Sequence, residues 1–136
     1  MKILLVTSSY PDEKSKERSF VFPEVVELVK AGFDVTILPI RPVSSIDPAL
    51  PSSVIVSESL SNIYKKIPFL SAFFGLILKP VFWKEVFCRP FLFFRVRFWK
   101  DSLRAVVSSR YFSRLVGRYD LFYTYWFSGE TTGFVW

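Results

Sequence analysis

The residues able to do chemistry are few, and which types are missing narrows the field first. The 136-residue chain has no histidine and a single cysteine, Cys88. A Ser-His-Asp or Cys-His arrangement therefore cannot be built, and a zinc site of the usual Cys/His kind has no ligands, so neither a metal nor a cofactor is expected. One cysteine gives no intrachain disulfide, which favours a cytosolic setting, with Cys88 itself a buried or lipid-facing small apolar residue. What remains is hydroxyl, aromatic and cationic chemistry. Its first concentration is the loop 8–19, which opens with Ser8, Ser9 and Tyr10 and carries Lys14, Lys16 and Arg18.

The elements around that loop decide whether it can serve as a site. Lys2-Ile3-Leu4-Leu5-Val6-Thr7 reads as a buried strand, and Gly32-Phe33-Asp34-Val35-Thr36-Ile37-Leu38-Pro39 as a glycine stop and a second one. Between them Val21, Val25 and Leu28 recur at helical spacing with Glu24, Glu27 and Lys30 on the wet side, predicting a helix over 20–31. Pro23 fits such a helix only in its first turn, where its missing N–H costs nothing, and Gly32 can supply a left-handed C-terminal cap. Strand, loop, helix and strand form the opening unit of a parallel sheet covered by helices. In such sheets ligands sit at the carboxyl ends of the strands, so the loop 8–19 is the first candidate site. Pro42, Pro48, Pro51 and several serines make 41–61 a connector, with a short third strand at 53–57.

The length suits one domain, and no internal repeat is visible. The N-terminal apolar run is too short for a signal-peptide core. The longest, residues 67–78, falls short of the ~20 residues a transmembrane helix needs. The charge is unevenly placed. Residues 64–118 hold twelve Lys and Arg against Glu85 and Asp101, a net of +10 in a chain whose total is +6. They also hold most of the Phe and Trp. Cations interleaved with large rings suit the membrane interface, where rings sit at headgroup level and Lys and Arg stems reach phosphate. A packed core with a solvated charged face is the competing reading. Nucleic acid is disfavoured, because the density of Phe and Leu exceeds what a solvated groove tolerates.

Pro68, Pro80 and Pro90 divide 67–97 into short helical pieces, and a longer helix is predicted over 98–117. At ~100° per residue, Phe98, Ala105, Phe112 and Val116 share its inner side, with Ser102 and Ser109 close by. Lys100, Arg104, Arg110, Arg114 and Arg118 share an outer arc with Leu103, Val107 and Tyr111. Lys100, Arg104, Arg110 and Arg114, with Trp99, are the expected membrane contacts.

After this helix the chain reads Arg118-Tyr119-Asp120-Leu121-Phe122-Tyr123-Thr124-Tyr125-Trp126-Phe127-Ser128-Gly129-Glu130. Taken with Ile3-Leu4-Leu5-Val6-Thr7-Ser8-Ser9-Tyr10-Pro11, Phe20-Val21 and Ala31-Gly32-Phe33-Asp34-Val35-Thr36, it resembles the N-terminal half of the family-4 retaining glycosyltransferases. Those enzymes have two Rossmann-like domains. The resemblance covers both ends of the chain and leaves about 41–96 as its variable part. It implies an α/β fold with a Rossmann-like parallel sheet and flanking helices, here an incomplete single domain on the acceptor side. It also implies a nucleotide-sugar donor held by a missing C-terminal domain, and a lipid-linked or glycan acceptor at an anionic membrane surface. Ser8, Ser9, Tyr10, Tyr125 and Trp126, with a helix start near 128–132, would form the acceptor wall. The chain alone would then bind and not catalyse, working in the cytoplasm against the inner face of the membrane. Its reading frame is expected to continue past Trp136 into a donor domain.

Two features differ from the family's pattern. The loop 8–19 has no glycine, leaving Lys14, Lys16 and Arg18 as anion contacts or as solvated loop residues. Tyr123 and Tyr125 stand where the family tends to show histidine beside tryptophan. Either tyrosine can hydrogen-bond or stack on a sugar, or pack a strand end, but at an ordinary pKa of ~10 it is a poor general base. The alternative function is a non-enzymatic peripheral membrane module.

Overall fold

The computed structural model of the chain describes residues 1–65 and 69–125. It is an α/β structure on a four-stranded, all-parallel sheet. In chain order, β1 (Lys2–Thr7), α1 (Arg18–Lys30), β2 (Asp34–Pro39), β3 (Ile55–Val56) and α2 (Ser59–Lys65) come first. They are followed by α3 (Phe69–Ile77), α4 (Pro80–Cys88), α5 (Pro90–Phe93), α6 (Val96–Ser113) and β4 (Leu121–Thr124). Within the described residues the chain divides into two compact units: Met1–Ile63 with residues 115–125, which carry the sheet, and the helical stretch Tyr64–Arg114.

In the sheet unit the strand order is β3-β2-β1-β4. Ile3 of β1 lies between Val35 of β2 and Leu121 of β4, and the register continues to Val6 opposite Leu38 and Thr124. β1 is buried from Ile3 to Thr7 and β2 from Val35 to Pro39, on both faces. A strand covered on both sides has no reason to alternate polar with apolar residues, which explains the unbroken apolar runs. One face packs Ile3, Leu5, Val35 and Ile37 against Val21 and Val25 of α1, with Tyr10 and Val54 completing the cluster.

α1 starts two residues earlier than its periodicity predicts. Glu17 is its cap residue and accepts the N–H of Val21 at 2.9 Å through its carbonyl. The early start puts Pro23 in the second turn, not the first as predicted. The bond it cannot make is the one to the Ser19 carbonyl, and both residues are exposed, so water can take that partner. The other end behaves as predicted: Gly32 adopts φ +82°, its N–H meets the Val29 carbonyl at 3.0 Å, and Phe33 N–H meets that of Leu28 at 3.1 Å. This is the Schellman arrangement, which needs a left-handed residue and so favours glycine.

In the helical unit Pro80 and Pro90 are the first residues of α4 and α5, where proline's fixed φ suits a helix and its missing N–H is not needed. α3 packs on α6. Ala72, Leu76 and Phe82 are buried, and an aromatic cluster joins Phe73 to Trp99 at 5.8 Å and Phe82 to Phe98 and Trp99 at 5.9 and 5.4 Å. α6 ends four residues sooner than predicted and is not divided into one inner and one outer side. Ser102 and Ala105 are buried as expected, but so are Leu103 and Val107, assigned above to the outer arc. Val116, assigned to the inner stripe, lies beyond the helix end and is exposed. Helical spacing finds the angle of a residue but not how many sides of the helix are covered.

Candidate functional site

The chain leaves β1, builds β2 and β3 to one side, then returns to place β4 on the other. The strand order therefore reverses between β1 and β4, a switch point of the kind at which open parallel sheets place ligands, outside the carboxyl ends of their strands. Tyr125 extends the pairing there, its N–H donating to the Val6 carbonyl at 2.9 Å.

On the β1 side the backbone N–H groups of Ser8, Ser9 and Tyr10 converge on the carboxylate of Glu17. Ser9 and Tyr10 donate to its Oε2 at 3.0 and 3.1 Å, and Ser8 lies 3.1 and 3.2 Å from its two oxygens. Successive N–H groups pointing into one concavity form an anion-binding nest. Here the nest is filled by the chain's own carboxylate, which is buried. Glu17 thus satisfies the loop that contains no glycine, and fixes where α1 begins. Sequence reasoning missed it. The available signal was an acidic residue just ahead of an apolar helical run, where the helix dipole favours negative charge.

The predicted site residues take different positions. Ser8 and Ser9 directly follow the carboxyl end of β1, half-buried; the Ser9 hydroxyl pairs with that of Ser15 at 2.8 Å. Tyr10 points the other way. Its ring is fully buried in the α1-facing core, so the side chain does not meet an acceptor, contrary to expectation. A large aromatic body just past a strand end removes more apolar surface from water under a helix than it could in a crevice. The Tyr10 hydroxyl has no hydrogen-bond partner. Burial, and secondarily the Asp47 carboxylate, push its pKa up to about 12.

The loop cations also separate. Lys14 and Lys16 are exposed. Arg18 forks onto Asp47, Nε 2.5 Å from one carboxylate oxygen and Nη2 3.3 Å from the other. The Asp47 side chain is fully buried, and the Arg18 hydrogen bond holds its carboxyl below the ordinary value of 3.8 against the opposing effect of burial. Asp47 also accepts the Ala49 N–H at 3.0 Å, an Asx turn that the Asp47-Pro48 dipeptide signals, whereas its pairing with Arg18 has no local sign in the sequence.

Across the switch point, Tyr125 donates its hydroxyl to the carboxylate of Glu24 on α1. Burial and then Glu24 raise its pKa well above the ordinary 10. Its ring lies 4.9 Å from Tyr123 and 5.8 Å from Phe20, both partly exposed. Trp126 and the segment 128–132 lie outside the described residues. Ser8, Tyr123, Tyr125 and Phe20 therefore offer hydroxyls and ring faces, while both nearby carboxylates, Glu17 and Glu24, are engaged by donors of the chain itself. Such a surface can hold and orient a hydroxylated ligand. Among the described residues no cluster of His, Cys, Asp and Glu could hold a metal ion. A groove of about 620 Å³ lies at the opposite, amino-terminal ends of the strands, lined by Lys2, Asp34, Ser53, Arg118 and Tyr119.

The expected membrane contacts fall within or just beyond α6. Lys100 and Arg114 are exposed. Arg104 is half-buried over the Tyr64 ring, Arg110 lies against Gly75 and donates to the Ser71 carbonyl at 3.4 Å, and Trp99 belongs to the aromatic cluster. The exposed large apolar side chains of this unit lie mainly on α3, α4 and α5 instead. Cys88 is exposed, not buried.

By fold, then, the sheet unit is a Rossmann-like α/β structure with a switch point between β1 and β4. The chain matches no protein-family model, no curated protein and no solved structure.

Proposed function

We propose that the chain is the acceptor-binding half of a glycosyltransferase, which takes a sugar from a nucleotide-sugar donor bound by a separate domain and delivers it to a membrane-associated, lipid-linked or glycan acceptor. The observation that carries this reading is the switch point between β1 and β4, beside which Ser8, Tyr123, Tyr125 and Phe20 offer hydroxyls and ring faces. Retaining transfer rests on holding the acceptor hydroxyl beside a departing nucleotide diphosphate whose charge is stabilised electrostatically. An acceptor wall needs no proton-transfer residue for that task. It needs groups that pair with hydroxyls and rings that cover the apolar faces of a pyranose, and Ser8, Ser9, Tyr123 and Tyr125 are of those types. The filled Glu17 nest bears on specificity: with the N–H groups after β1 already paired, this loop favours a neutral hydroxylated portion of the acceptor over its phosphate.

The reading is tested by titrating the chain with neutral oligosaccharides and with their lipid-diphosphate-linked forms, followed by saturation-transfer NMR. Saccharide protons should receive saturation, and Tyr123→Ala should lower affinity about tenfold, the loss of one ring contact. In an intact transferase carrying this half, Trp126→Ala should lower transfer. Absence of saccharide binding by a folded chain overturns the proposal and leaves the non-enzymatic membrane module.

A further inference from the structure

Within the helical unit, Leu70, Phe74, Leu78, Phe87 and Phe91 are each at least 62% exposed. Along α3 and the turn that ends it, Leu70, Phe74 and Leu78 recur every fourth residue and are exposed, while Ala72 and Leu76 are buried. α3 is therefore apolar on two faces, and only one is used by the packing described. The pattern continues along the chain, with Phe87 on α4, packed beside the half-exposed Trp83 at 6.2 Å, and Phe91 on α5. Lys79, Lys84 and Arg89 stand between these residues and Arg95 follows them, all exposed. Across residues 70–100 the sequence has six Lys and Arg against one acid, Glu85.

We propose that this segment docks on an anionic lipid surface, with Leu70, Phe74, Leu78, Phe87 and Phe91 entering the headgroup boundary and Lys79, Lys84, Arg89 and Arg95 meeting lipid phosphate. Charge selects this occupant. A second copy would bring the same excess of positive charge onto the first, and like charges at close range oppose that association. A nucleic acid complements the charge but not the aliphatic side chains, since Leu70 and Leu78 have no ring on which a base can stack. An anionic leaflet complements both: its phosphates take the cations and its acyl boundary takes the leucines and phenylalanines. The segment lies on the surface and does not span it. α3 has nine residues, which at ~1.5 Å each reach under half of the ~30 Å hydrocarbon core, and no helix among the described residues is long and apolar enough to cross. This docking differs from the α6 arc expected from periodicity, and it holds whether or not the sheet unit binds a saccharide.

Cys88 makes the test possible without mutagenesis. It is the chain's single cysteine, is exposed, and lies between Phe87 and Arg89. A polarity-sensitive fluorophore on its thiol should shift to the blue on vesicles of phosphatidylcholine with phosphatidylglycerol, and much less on phosphatidylcholine alone. Neutralising Lys84, Arg89 and Arg95 together to Gln should lower the partition coefficient about 100-fold, at roughly fivefold per cation. Phe87→Ser and Phe91→Ser should each lower it about tenfold at unchanged charge. Lys14→Gln with Lys16→Gln should change it less than twofold. All these positions are exposed, and the labelled unsubstituted chain gives the primary reading independently. Equal partition onto neutral and anionic vesicles, no shift of the Cys88 probe on anionic vesicles, or displacement from vesicles by a single-stranded oligonucleotide would each overturn the proposal. So would self-association abolished by Phe87→Ser in a chain that ignores lipid.

Discussion

The sheet unit and the helical unit are both rich in apolar residues, but they handle them in opposite ways. Around β1 every large side chain from Ile3 to Val6 is buried, and even the aromatic Tyr10 is taken fully inside. The polar groups nearby are tied down in turn: Glu17 to three backbone donors, Asp47 to Arg18, Tyr125 to Glu24. Along α3, α4 and α5, large apolar side chains stand in the open with exposed cations between them. Apolar content thus measures the potential for burial, and a covering element decides whether it is realised. Where none covers it, an apolar face with neighbouring charge is equipped for a partner.

The largest expected effect separates the units directly. Leu5→Ala removes a fully buried side chain from the central strand and should cost about 2–5 kcal/mol, whereas Phe87→Ala should change stability by less than about 0.5 kcal/mol. Denaturant titrations of both variants measure the contrast; equal losses would mean that the α4 face is core after all. Next comes the internal anion. Glu17→Ala leaves three backbone N–H groups after β1 without their charged acceptor and should cost about 2 kcal/mol, with Glu17→Gln intermediate because one oxygen remains. A gain of phosphate or sulfate affinity in Glu17→Ala, read by titration calorimetry, would show the vacated nest accepting an outside anion.

Tyr10→Phe should go the other way, adding about 1 kcal/mol, because it removes a buried hydroxyl that has no partner while keeping the ring. The pH dependence follows from the same group. With its pKa raised to about 12 in the folded chain and about 10 when unfolded, Tyr10 leaves stability independent of pH below 10 and lowers it further as pH rises from 10 toward 12, where the unfolded chain ionises and the folded one does not. The variant should show a shallower alkaline decline, Tyr125 supplying the remainder. Thermal melts between pH 9 and about 12 check both points.

The smallest effect lies on the acid side. The folded-state pKa of Asp47 is lowered by Arg18, so its contribution is present above the unfolded value near 3.8 and is lost as pH falls below that toward the folded value. Asp47→Asn should flatten this part of the acid limb in a melt series, and an unchanged acid limb would remove Arg18–Asp47 from the forces that hold the loop.

The elements themselves were legible because their signals are local. Gly32 after a helical run, Pro80 and Pro90 at helix starts, and unbroken apolar strands each state a backbone preference within a few residues. The parallel α/β class and the loop after β1 as the candidate site follow from that order. What stands around the carboxyl ends of β1 and β4 was decided over distance. Glu17 reaches back seven to nine residues, Asp47 lies 29 residues from Arg18, and Tyr125 is 101 residues from Glu24. No periodicity encodes such pairs, since each exists only when the sheet brings two loops or a strand end and a helix together. The same reason governs burial. Tyr10 and Phe87 are both large aromatic residues with polar or charged neighbours, and only the tertiary structure, by covering one and leaving the other open, sets the first in the core and the second at the surface.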